Sequence, residues 1–232
     1  MLRLVWKDVV VARWFLLAGL PLYVIQVAGM ASVVPAHVFV IALFTAVFAF
    51  GPIGVEEIQG TEALWASLPV GRRNVVLARY AATAIGIAVG LGTSWAVARA
   101  SAAWIFSDPR NAPDLLGAGA YASLAAVFLL FAALFLPCYF RLGAGRALTV
   151  ASLLTLGLLV LLSLAGSLAV HLVGGADVLE AMRRQDPARL QAVRDWLDRW
   201  GGLLAAGLVG AAAALFAVSA LVAMVFYERR DL

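Results

Sequence analysis

Cysteine, lysine, histidine and charge of either sign are scarce in this chain, and each scarcity closes a class of function. A single cysteine, Cys138, excludes an internal disulfide and any CxxC metal site. The only lysine, Lys7, has no glycine before it. A nucleotide-binding P-loop needs its lysine behind a glycine-rich turn that follows a strand, so this chain cannot bind and hydrolyse ATP in that way. The two histidines, His37 and His171, fall near the ends of apolar runs and read as interfacial residues, not as bases. Charged residues make up 13% of the 232, against about 25% in soluble domains, while 64% are hydrophobic. A soluble chain of this composition could not cover itself with polar surface. It belongs in a membrane. The net charge of +4 is small and dispersed, which argues against a nucleic-acid partner.

Six apolar runs are present, at Trp14–Val33, Val38–Val55, Val75–Ala98, Leu115–Phe140, Ala147–Val173 and Gly202–Phe226. Each is long enough to cross about 30 Å of hydrocarbon, where only a helix satisfies its own backbone. The expected fold is therefore an all-α membrane protein with six transmembrane helices in a single domain, residues 1–232. A secretory signal peptide is a poor reading of the first run. The following Met30–His37 lacks a small-x-small cleavage site, and Arg3, Lys7 and Arg13 are spread along the segment.

Basic residues set the expected orientation. With both termini inside, the cytoplasmic side holds ten cations, Lys7 and Arg3, Arg13, Arg72, Arg73, Arg79, Arg141, Arg146, Arg229 and Arg230, against six acids. The outer side holds seven of each sign, so the whole +4 lies inside. No Asp, Glu or Lys sits in the middle of a run, which disfavours ion-coupled secondary transport. Ser94 after Gly92-Thr93 is a faint nucleophile pattern, better read as a serine bonded to its own helix. Neither feature supports an enzyme.

Three segments outside the runs have helical character. Residues 1–13 place Leu2, Val5, Trp6, Val9 and Val10 on one face, opposite Arg3, Lys7 and Asp8, as an interfacial helix does. Residues 174–201, on the outer side, contain an Asp186 cap and Pro187 in the first helical position. Leu190, Val193, Leu197 and Trp200 then form a stripe, expected to lie along the surface or to act as an extracellular lid that caps a cavity. The third segment, 56–74, joins the second and third runs. Gly60 frees a turn, Thr61 caps, Glu62 suits the helix start, and Leu64, Trp65 and Leu68 form an apolar knob that Pro69 ends. Such a knob fits either a partner's cleft or the bilayer surface.

Small residues at four-residue spacing occur twice, as Ala82, Gly86, Gly90 and Ser94 in the third run and as Gly202, Ala206, Gly210 and Ala214 in the sixth. Both ladders permit close helix approach, within one chain or between two. Pro52 and Pro137 are expected to break or kink their helices.

The stretch Glu56–Tyr80 resembles the loop of ABC-2-type permeases, the membrane subunits of ATP-binding-cassette exporters. There an acid precedes Gly-Thr, a short helix, Ser-Leu-Pro-Val, a basic pair and an apolar-Arg/Lys-Tyr start to the third span. The matching residues here are Glu57, Gly60, Thr61, Ser67, Leu68, Pro69, Val70, Arg72, Arg73 and Arg79, with Gly71 where serine or threonine is common. The resemblance implies a cytoplasmic coupling helix between spans two and three that meets an ATPase subunit through Glu57, Thr61, Leu64, Trp65, Leu68 and Arg72. It implies too a second permease subunit, homo- or heterodimeric, ATP held by the partner with no cofactor in this chain, and residence in a bacterial inner membrane among its lipids. A non-transporting scaffold or assembly factor is the competing reading. Glu56-Glu57 is similar to the paired glutamates of membrane prenyl-protein proteases, but Thr61 stands where those carry arginine.

Overall fold

The computed structural model describes residues 34–59, 71–105, 118–172 and 187–229, with Trp6 and Val10 from the N-terminal segment. Among the described residues the chain is helical, with no strand. Five helices follow in order: α1 Val34–Ile58, α2 Arg72–Ile105, α3 Ala118–Leu142, α4 Ala144–Leu172 and α5 Pro187–Glu228. Four stretches have the length and apolarity to cross a membrane: Val38–Glu56, Arg72–Ala100, Ala118–Leu142 and Trp200–Glu228. They match the second, third, fourth and sixth expected runs. The fifth is helical throughout α4, whose Ala144–Leu158 part is a shorter apolar helix. The first expected run, and most of residues 1–13, lie outside the described residues; Trp6 and Val10 are helical.

In three places a helix runs on where the sequence suggested an interruption. The segment ahead of the sixth run is not a separate element: α5 is one helix of 42 residues, about 63 Å at 1.5 Å per residue. Gly201 and Gly202 do not interrupt it. Glycine weakens a helix, yet a backbone entering lipid has no other partner for its polar groups. Similarly, α1 continues through Pro52 and α3 through Pro137, and both prolines are buried. Neither breaks its helix.

The seam between α1 and α2 explains how Pro52 is accommodated. Proline has no N–H to offer the carbonyl four residues back, here Phe48. That carbonyl oxygen faces Gly86, so closely that a Cβ built on Gly86 would lie 2.6 Å from it. A Cβ on Gly90 would lie 2.8 Å from the Cα of Thr45. The antiparallel helices thus approach backbone to backbone, and the Cα hydrogens of glycine face the carbonyl that proline leaves unbonded.

The core has two parts. Toward the end where α2 begins, Ile53, Val76, Tyr80, Phe135, Leu136, Tyr139, Phe140, Ala147, Ala223 and Tyr227 draw all five helices together. Aromatic contacts run through it from Phe50 to Phe135 at 5.4 Å, on to Tyr139 at 6.1 Å and Phe140 at 5.2 Å, and finally to Tyr227 at 5.1 Å. At the other end Ile41, Phe44, Phe48, Ile87, Leu91 and Phe128 join only α1, α2 and α3. Accordingly, α5 between Trp200 and Glu228 is the least covered candidate span, 17% buried against 44–50% for those in α1–α3. Between α3 and α4 the chain turns on one residue, Gly143, at φ 81°, a left-handed conformation that glycine adopts without strain.

Candidate functional site

Charged and polar side chains gather at the end of the bundle where α1 finishes, α2 starts and α5 finishes. The last turn of α1 closes with Gln59 N–H donating to Val55 O at 3.0 Å, and α2 opens after a turn in which Asn74 N–H donates to Gly71 O at 2.8 Å. Residues 60–70, which connect these two ends in sequence, lie outside the described residues.

Two turns into α2, Arg79 forms a buried ion pair with Glu56 near the end of α1, guanidinium Nη2 to carboxylate Oε2. Glu56 is 5% exposed and Arg79 8%. Buried charges of opposite sign hold each other firmly, because removing one strands the other away from water. The next residue on the helix, Tyr80, points about 100° further round and reaches α5 instead. Its hydroxyl lies 3.0 Å from Ser219 Oγ. Ser219 gives its own proton to Phe216 O at 2.8 Å, so Tyr80 is the donor between the two hydroxyls. The Tyr80 ring also meets Phe216, with centroids 4.9 Å apart. Two consecutive residues of α2 therefore grip the helices on either side of it.

At the mouth of the bundle, Arg72 Nη1 donates to the main-chain oxygens of Tyr227 at 3.4 Å and of Glu228 at 3.0 Å. Arg73 Nε donates to Glu228 Oε1 at 2.6 Å. These carbonyls end α5, where the helix dipole presents partial negative charge and favours cations. Arg141, at the end of α3, stacks over the Phe226 ring at 5.3 Å. One face of α5's last turn thus meets arginines from two other helices.

Of the residues expected to meet an ATPase subunit, Thr61, Leu64, Trp65 and Leu68 lie outside the described residues, as does the side chain of Glu57 in the last turn of α1. Arg72 is placed, and its guanidinium lies on the end of α5. Of the expected lid residues, Leu190, Val193 and Leu197 fall within α5 with side chains outside the described set; Trp200 is 51% exposed. Sequence reasoning took Glu57 as the acid that matters here and passed over Glu56, Tyr80, Ser219 and Glu228. One signal was available: an arginine one turn inside an apolar run requires a partner. Which residue supplies it depends on the register of α1 against α2, and no local pattern encodes that.

The two small-residue ladders separate. Gly86, Gly90 and Ser94 are buried, and both glycines press on α1. Gly202, Ala206, Gly210 and Ala214 are exposed, and a Cβ on Gly202 or Gly210 would meet nothing within 4 Å.

A family model described as ABC-2 family transporter protein matches residues 3–228. No curated protein and no solved structure matches the chain.

Proposed function

The chain belongs to the ABC-2 transporter family, and from that premise we propose that it is the permease subunit of an ATP-driven exporter, six-spanning and with both termini in the cytoplasm. The arginine-rich end of the bundle is then the cytoplasmic end, in keeping with the +4 carried on that side. Residues 60–70 hold the coupling helix, and ATP is bound and hydrolysed in a separate subunit. The apolar knob of Leu64, Trp65 and Leu68 enters that subunit, flanked by Glu57 and Thr61. A second permease subunit completes the path, and the bacterial inner membrane is its site. The stripe Leu190, Val193, Leu197 and Trp200, on the part of α5 that precedes its apolar span, forms the outer lid.

The observation that carries this reading is the buried Glu56–Arg79 pair. It joins the two helices that flank residues 60–70, so a force on that segment cannot be absorbed by separation of its two stalks. A coupling element needs such a mounting. The test is to purify the complex with Trp65→Ala and Leu68→Ala together. An anchor of this type contributes about 2 kcal/mol or more to an interface, so the permease should insert normally while ATPase co-purification falls at least tenfold. Undiminished co-purification and hydrolysis would remove the coupling role from this segment.

A further inference from the structure

Within the bundle, packing sets apart two pairs of helices, and α4 joins the second of them through its contacts with α3. α1 and α2 are extensively joined, by the glycine contacts along their seam and by the buried Glu56–Arg79 pair. α3 and α5 are joined more extensively still, with Phe140 on Tyr227 at 5.1 Å and Arg141 over Phe226 at 5.3 Å. Between the pairs contact is sparser. Among the described residues, polar contacts that cross from α2 to α5 include the buried Tyr80–Ser219 hydrogen bond and the contacts of Arg72 and of Arg73 with the end of α5.

The crossing contacts differ in kind. Tyr80 and Ser219 are 4% and 9% exposed, out of reach of water. The side chains of Arg73 and Glu228 are 72% and 42% exposed, although they meet at 2.6 Å. Water and salt compete for the second contact and not for the first. One is a fixed join. The other is exposed and weaker.

Arg72 and Arg73 are also the first two residues of α2, directly after the segment read as the coupling helix. Only Gly71 separates them from that segment, so a displacement of it reaches them within two residues of the chain. We propose that Arg72, Arg73 and Glu228 form a releasable latch between the start of α2 and the end of α5, opened when the transporter binds ATP. The inference rests on the reading of residues 60–70 given above. When the latch opens, α1–α2 tilts against α3–α5 about the Tyr80–Ser219 contact, and the end of α5 stays with α3 through Tyr227 and Phe226. Arg72, counted from the sequence among the ATPase contacts, serves instead to position α5, together with Arg73 and Glu228.

The experiment uses Arg73→Cys with Glu228→Cys in a Cys138→Ser background, in membranes containing the whole transporter with its co-expressed ATPase subunit. A short, reducible bis-methanethiosulfonate reagent bridges the two positions. Without nucleotide, the bridge should form in most molecules. With MgATP, which shifts the population toward the open latch, the yield should fall by about threefold or more. The bridged complex should retain its ATPase subunit, lose ATP-driven transport and recover it on reduction, which a folding defect would not do. Failure of the bridge to form without nucleotide overturns the contact. A bridge insensitive to MgATP, or one that leaves transport unchanged, overturns the release. An unmodified chain that captures no ATPase subunit overturns the underlying reading, and that is seen before any reagent is added.

Discussion

Arg79 and Glu56 are each a poor choice for an apolar seam when considered alone, and together they hold it. Their burial sets what substitution does. Arg79→Leu leaves the carboxylate without its cation, and Glu56→Leu leaves the guanidinium without its anion. Each single change should lower stability by about 3–5 kcal/mol. Replacing both by leucine removes the stranded charge as well as the pair, so the double variant should be clearly more stable than either single one. The readout is the temperature at which the monodisperse peak of detergent-solubilised protein is lost. A double variant as damaged as the sum of its parts would show that the two side chains act independently. Glu228→Gln, at an exposed contact, should leave that temperature almost unmoved.

At the scale of the helix, two glycines in similar sequence settings have opposite duties. Gly86 and Gly210 each belong to a four-residue ladder within a long helix. Gly86→Ala would put a Cβ 2.6 Å from the Phe48 carbonyl and 2.9 Å from the Cα of Ala49, both backbone atoms that cannot rotate away. The α1–α2 seam must open, at a cost of about 1–3 kcal/mol. Gly210→Ala meets open space. There only the helix preference for alanine acts, which favours the variant by up to about 1 kcal/mol. The two variants should therefore move the thermal midpoint of the isolated subunit in opposite directions. The same seam tolerates Pro52 because neighbouring backbone approaches the carbonyl that proline frees.

For the whole molecule, orientation is the property most open to measurement. The described helices alternate in direction: α2 and α4 start, and α1, α3 and α5 finish, at the end held by Glu56–Arg79, Arg73–Glu228 and Arg141–Phe226. Placing that end in the cytoplasm puts residues 60–70 inside and the start of α5 outside. In a Cys138→Ser background, Ser67→Cys should react with a membrane-impermeant maleimide only in inverted vesicles, and Gln191→Cys only in intact cells. If the start of α5 acts as a lid, the Gln191→Cys rate should also change on MgATP addition to the assembled transporter. Labelling of both positions from the same face would discard the six-span arrangement.

Composition and periodicity alone determined that this is a helical membrane protein and where most of its spans fall, while the resemblance of Glu56–Tyr80 to a known family marked the coupling loop. These are local properties. An apolar run of about 20 residues has one stable form in lipid, whatever its neighbours do. The same locality placed a helix start at Pro187, where α5 begins, but set that helix apart from the sixth run, with which it is continuous to Glu228. Tertiary structure decided the rest: that Glu56 is the partner of Arg79, that Tyr80 meets Ser219, that the arginine pair holds the end of α5, and that one glycine ladder is buried while the other is bare. Each of these pairs residues far apart in the chain, and its energy depends on register, on distance and on exclusion of water. Those quantities exist only once the helices have packed.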